Sequence, residues 1–214
     1  MAGMAWTRPV AAAAGLAVPA GATVMLAALV AAPSPWTTGY VSEAGTAGQP
    51  YAVPYRWGLV LLAAGVALLA LALHRIRPAA VLLGAAAVLA ATSGVVPCTG
   101  GCPLPPYQPA TPADLVHASA GVLGMVLLAA AMAAVTWLGP SPVVRRLAVV
   151  AAALTVPLGG ALGLTMLLAG RGPVGATLER MLLVVAVTWL TGTAIALAYS
   201  RHRWWTSVRQ PGRI

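Results

Sequence analysis

Lysine and phenylalanine are absent from this 214-residue chain, and only three side chains are acidic: Glu43, Asp114 and Glu179. All 12 basic residues are therefore Arg. The Lys-free, Phe-free, Ala-rich usage fits a GC-rich coding bias, so the choice of Arg over Lys carries no argument of its own. With 7% charged and 60% hydrophobic residues, the composition excludes a soluble globular domain and fits an integral membrane protein. Also missing are a phosphate-binding glycine loop, a zinc signature, a nucleophile elbow and a haem-attachment motif. No cofactor or metal is expected.

What is present is length in apolar runs. Six stretches, near 10–32, 56–74, 79–96, 113–137, 147–169 and 178–199, are each able to cross about 30 Å of hydrocarbon at about 1.5 Å per residue. The net charge of +9 is not a nucleic-acid footprint, because the Arg residues lie in short clusters between apolar runs. Arg8, Arg75, Arg77, Arg145, Arg146, Arg201, Arg203, Arg209 and Arg213 fall on one side, and Arg56, Arg171 and Arg180 on the other. The excess of Arg predicts that both termini are cytoplasmic. The expected fold is all-α: a polytopic bundle of six transmembrane helices, N-in and C-in, as one domain over residues 1–200 with a basic cytoplasmic tail over 201–214. The expected location is the bacterial cytoplasmic membrane. Arg8 and the run after it resemble a signal peptide, but the run is about twice the usual length of such a core, so an uncleaved span is expected.

The connections differ by side. The inner ones are short and basic. Of the outer ones, 33–55 is rich in Pro, Gly, Trp and Tyr, 97–112 carries both cysteines, and 170–177 is a tight Gly/Pro turn. Trp6, Trp137, Trp204 and Trp205 at inner ends, and Trp36, Trp57, Tyr40, Tyr51, Tyr55 and Tyr107 at outer ends, read as interfacial belts. Trp189 falls within the sixth helix and is either packing or a pocket wall. Pro19 and Pro157 interrupt helices one and five, and a membrane-embedded Pro can bend a helix and open a cavity. Gly159, Gly160 and Gly163 predict close helix packing, with a pocket wall as the lesser alternative.

All three acids lie at the outer side. Thr111-Pro112-Ala113-Asp114 reads as a capping box opening the fourth helix. His117 lies one turn deeper, where an Asp–His pair could hold an imidazole tautomer for proton transfer or serve only in packing. Thr177 to Arg180 reads as the start of the sixth helix, with Glu179 favoured there by the dipole and Arg180 disfavoured and in need of a partner. A clamp among Arg180, Arg56 and the acids would tie the hairpins together or grip an anionic headgroup. Cys98-Thr99-Gly100-Gly101-Cys102 predicts a local disulfide on the outer side. A metal would need further ligands near in sequence, and none are present; the spacing is not that of a Cys-x-x-Cys redox pair. His74 and His202 read as solvated among inner Arg residues.

These pieces resemble a bacterial membrane family catalogued as domain of unknown function 998. The matching segments are Val41-Ser42-Glu43-Ala44-Gly45, Gly94-Val95-Val96-Pro97, Thr111 to Gly121 and Gly175 to Met181. Val95 and Val96 stand where the family pattern has an aromatic before the Pro. The resemblance implies a six-helix bundle with these polar residues as signature, and no established activity.

Three functions compete. In the first, Glu43, Asp114, His117 and Glu179 are acid/base groups, with Arg56, Arg180 and Trp189 binding a lipid-like or isoprenoid molecule; acid-initiated cyclisation is its specific chemical version. In the second, the chain is a non-catalytic membrane subunit or assembly factor whose charged cluster is a structural clamp or meets a membrane-protein partner. The third, a transporter, is disfavoured because no ionisable residue falls near a helix midpoint. The expected partners are membrane lipid and a lipid-like small molecule, with no nucleic acid.

Overall fold

Residues 6–32 and 39–199 are described by a computed structural model. Trp36, Trp204, Trp205, His202 and the Arg residues at 201, 203, 209 and 213 lie outside the described residues. The elements are α1 (Thr7–Ala31), a short 3-10 helix (Val41–Gly45), α2 (Ala52–Ala72), α3 (Arg77–Val95), α4 (Pro112–Leu138), α5 (Pro142–Ala169) and α6 (Pro173–Tyr199). The six α-helices are all long and apolar enough to cross a membrane, which makes the chain a multi-pass membrane protein. No strand occurs among the described residues.

Several helices begin before their apolar stretches. Pro112, Pro142 and Pro173 are the first residues of α4, α5 and α6, where a missing N–H costs nothing and a fixed φ suits the first turn. Ser141 caps α5 by accepting from the Val144 N–H at 3.2 Å. Hydropathy alone passes over such polar first turns. As a result α5 starts at Pro142 rather than near 147, and α6 at Pro173 rather than near 178. Glu179 and Arg180 therefore sit in the second turn of α6, not at its start, and no acid occupies its first turn.

Neighbours in sequence pack as neighbours in space, and α1 meets α6 to close the ring. The tightest joint is α1 on α2. A methyl added at Gly21 would fall 2.5 Å from the Gly58 carbonyl oxygen, and one at Gly58 would fall 2.9 Å from that of Gly21. This close approach uses glycines other than the Gly159–Gly163 set expected from sequence.

The main core fills the half of the ring toward the Arg-rich connections, with Leu69, Leu83, Met132, Val144, Trp189 and Leu190 at its centre. A smaller cluster of Met25, Leu29, Val41 and Tyr55 lies at the opposite end. Helix α5 belongs to the core only through its first half: its buried residues are Val144, Ala148, Ala151 and Thr155. Pro157 marks the changeover, and beyond it the helix leaves space inside the ring.

Candidate functional site

That space is a cavity of about 500 Å3. Its body is apolar, with Leu59, Leu62, Met125, Leu128, Leu162 and Leu183 among its walls. Its end is polar: Tyr40, Ser93, Asp114, His117, Arg171 and Glu179 face it, and so do Cys98 and Cys102. Val122 and Val126 on α4 and Val156 on α5 line it while remaining largely exposed on the flank of the bundle. The cavity thus opens sideways between α4 and α5. Gly159, Gly160 and Gly163 are part of its wall, and a methyl built on any of them meets nothing within 4 Å. Their role is to leave room, which corrects the expectation of close packing.

Three long-range ties close the polar end. The first is Asp114, 1% exposed. It completes the capping box, accepting from Thr111 N–H at 2.8 Å and Thr111 Oγ1 at 2.7 Å. It also reaches the cysteine loop, accepting from Thr99 N–H at 2.6 Å and Thr99 Oγ1 at 3.0 Å. Both carboxylate oxygens are engaged by these donors, so Asp114 acts as a latch. The Asp114–His117 pairing expected from sequence is replaced by a different contact. Nδ1 of His117 faces the end of α3, at 2.9 Å from the Val96 carbonyl, 3.0 Å from the Ser93 carbonyl and 3.2 Å from Ser93 Oγ.

The second tie is Arg171, alone between Gly170 and Gly172 in the α5–α6 turn. Nη2 donates to Glu43 Oε1 at 2.7 Å and Nη1 to the Cys102 carbonyl at 2.8 Å. The guanidinium lies 3.9 Å above the ring of Tyr40. Burial pushes the Tyr40 phenol above its ordinary range, and the nearby Arg171 cation offsets this only in part. The ring therefore stays neutral and presents its electron-rich face to the cation. Glu43 Oε1 also accepts from the Tyr40 N–H at 3.1 Å.

The third tie joins α6 to the start of the 3-10 helix and to the segment just before it. Glu179 Oε2 accepts from the Val41 N–H at 2.6 Å. Arg180 donates to the Gly39 carbonyl at 2.6 Å and the Ala176 carbonyl at 2.7 Å. Two backbone carbonyls thus serve as partners for Arg180. Gly175 permits the approach, since a methyl there would collide with the Tyr40 hydroxyl.

Several expectations shift. Arg56 is one turn inside α2, where its Nε donates to the Ala52 carbonyl at 3.3 Å; Arg171 takes the position beside the acids. Neither Arg56 nor Arg180 lines the cavity, and Trp189 lies in the core instead. Tyr40 and Tyr55 are buried rather than parts of a belt, whereas Trp57 and Trp137 are exposed. His74 stacks on Trp6, with ring centroids 4.9 Å apart. Cys98 and Cys102 form the expected disulfide. A third potential ligand, not visible from sequence spacing, is His117: a ring nitrogen and the two Sγ atoms all lie within 4.8 Å of one another. Sequence reasoning missed Arg171, Tyr40 and Thr99. Only Arg171 left a signal, as the one charge in an otherwise apolar Gly/Pro turn.

No curated protein and no solved structure matches the chain. A family model described as a protein of unknown function (DUF998) matches residues 5–196, and the chain belongs to that family.

Proposed function

We propose that this protein binds a lipid-like amphiphile, an acyl or prenyl chain with a polar head, taken from the bilayer through the gap between α4 and α5. The cavity carries the reading. Its volume of about 500 Å3 falls within the roughly 300–1,000 Å3 usual for ligand sites, and a mostly apolar wall with a few convergent polar groups is their common form. The chain of the ligand fits the apolar body, and its head meets Arg171, Glu179 and His117. A guanidinium with its fork geometry suits a phosphate or carboxylate head. The Arg distribution supports placing this polar end on the extracytoplasmic side of a bacterial cytoplasmic membrane.

The clamp reading and the site reading divide the polar residues between them. Asp114 and Glu43 are engaged in ties between loops. Glu179 has Oε2 engaged by a backbone N–H, and Oε1 remains for a ligand. His117 faces the cavity as well. Any acid/base chemistry on an isoprenoid or other lipid falls to these two groups.

Extraction into a mild detergent followed by native mass spectrometry tests the reading. One lipid-sized adduct per chain is expected, and it should be lost in Gly160→Leu, which puts a bulky side chain on the cavity wall. An adduct retained unchanged in that variant would overturn the proposal.

A further inference from the structure

The Cys98–Cys102 pair does more than close a five-residue loop. Both cysteines line the cavity, and a ring nitrogen of His117, on α4, completes a cluster of three potential ligands within 4.8 Å of one another. In a tetrahedral site with Zn–S about 2.3 Å and Zn–N about 2.0 Å, neighbouring ligand atoms lie roughly 3.5–3.8 Å apart. Opening the disulfide requires the sulfurs to part by less than about 2 Å to reach that spacing.

The surroundings are those of a prepared ligand set. Nδ1 of His117 sits 2.9 Å and 3.0 Å from the carbonyl oxygens of Val96 and Ser93. A carbonyl can only accept, so Nδ1 carries the proton and Nε2 holds the lone pair. An Nδ1–H···O=C bond of this kind orients and polarises metal-binding histidines. The loop is fixed independently of the sulfurs, because Asp114 binds the Thr99 N–H at 2.6 Å and Arg171 binds the Cys102 carbonyl at 2.8 Å. Reduction therefore leaves both thiols held beside the imidazole.

We propose that the reduced protein binds one thiophilic d10 ion, Zn(II) or Cu(I), through Cys98 Sγ, Cys102 Sγ and the imidazole of His117, with a further position open to the cavity. A dithiol reductant supplies two electrons and two protons to the disulfide and is itself oxidised to a disulfide. Coordination then releases both thiol protons. Two thiolates and one imidazole select soft or borderline ions over Mg2+ or Ca2+, and three protein ligands leave a position for an exogenous group. A disulfide oxidant that accepts two electrons from the two thiolates is reduced to a dithiol, reforms the Cys98–Cys102 bond and releases the ion, so ion occupancy is coupled to redox state. This inference concerns the loop cluster and holds whatever occupies the cavity.

The test uses the full chain in detergent, reduced and then freed of reductant without exposure to air. Zn(II) and, separately, Cu(I) are titrated against a chromophoric chelator, and Co(II) is added for its thiolate charge-transfer band. One equivalent of Zn(II) or Cu(I) is expected to bind, the tighter of the two identifying the ion. None should bind to the same protein oxidised to the disulfide, which serves as a folded control of identical sequence. Cys98→Ser and His117→Gln should each weaken binding by more than the roughly 100-fold that loss of an outer-shell partner can cost. The proposal is overturned if the reduced wild type takes up neither ion. It is overturned equally if His117→Gln binds as tightly as wild type, because the thiols alone would then account for the uptake. The lipid adduct, measured by native mass spectrometry on the oxidised protein, reports separately on the cavity.

Discussion

Arg171 in the α5–α6 turn donates from Nη2 to Glu43 Oε1 at 2.7 Å across 128 positions of sequence. The same guanidinium holds the Cys102 carbonyl at 2.8 Å, so one side chain fastens all three connections at the polar end of the bundle. Arg171 is 15% exposed and Glu43 is 33% exposed. Hydrogen bonds to charged groups under such partial cover contribute about 1.5–3 kcal/mol each. Arg171→Gln is expected to lower the thermal midpoint clearly, and Arg171→Lys to recover only part of the loss, because a single ammonium cannot reproduce the fork. A double-mutant cycle with Glu43→Gln should return a coupling energy of about 0.5–3 kcal/mol. Strict additivity would show that the pair contributes nothing.

Asp114 joins two segments through both of its carboxylate oxygens. It combines a helix cap with a bond to a loop 15 positions away. Loss of a cap alone costs about 0.5–2 kcal/mol. Asp114→Ala also strands the Thr99 N–H, for a further cost of about 1–3 kcal/mol. Limited proteolysis should therefore cut first within 97–111 in the variant, at temperatures where the wild-type loop is intact. Equal resistance of the two loops would place the latch elsewhere.

What the sequence made legible follows from which physical signals are local. The six spans were readable because apolar run length is a local quantity. Their starts at Pro142 and Pro173 were not, since hydropathy ignores a polar first turn. The capping box at Thr111 and Asp114 was readable from spacing alone, and it formed. The partner of Arg180 was not, because the Gly39 carbonyl lies 141 positions away and leaves no trace in periodicity. The neighbours of His117 escaped for the same reason: helix pairing brings Ser93, Val96 and the cysteines to it. The cavity was hidden most completely, because glycines that leave space and glycines that permit close packing look identical in sequence.

That ambiguity gives a prediction of opposite signs for one kind of substitution. At Gly159 or Gly160 a methyl meets nothing within 4 Å, so Gly→Ala should stabilise by about 0.5–1 kcal/mol through backbone entropy and helix propensity. At Gly21 the methyl would lie 2.5 Å from backbone atoms of α2. Overpacking of that kind costs about 1–3 kcal/mol, so Gly21→Ala should destabilise. Thermal unfolding of the three variants decides the matter. A loss at Gly160 equal to that at Gly21 would mean that α5 lies closer to its neighbours than the open wall implies.

Glu179 and His117 separate a binding or reacting site from a clamp. Glu179→Gln retains a carbonyl oxygen able to accept the Val41 N–H now held at 2.6 Å, so its fold should survive with a midpoint close to wild type. His117→Gln keeps a donor for the α3 carbonyls and removes the ring. If these groups meet the head of a bound amphiphile, both variants should remain folded yet retain less of the copurifying lipid. Asp114→Asn should show the reverse, losing stability while the lipid bound per folded chain is unchanged. Purification of the three variants in parallel, with lipid quantified per folded chain, distinguishes these patterns. Stability lost at Glu179 and His117 with lipid content preserved would assign the whole polar end to architecture.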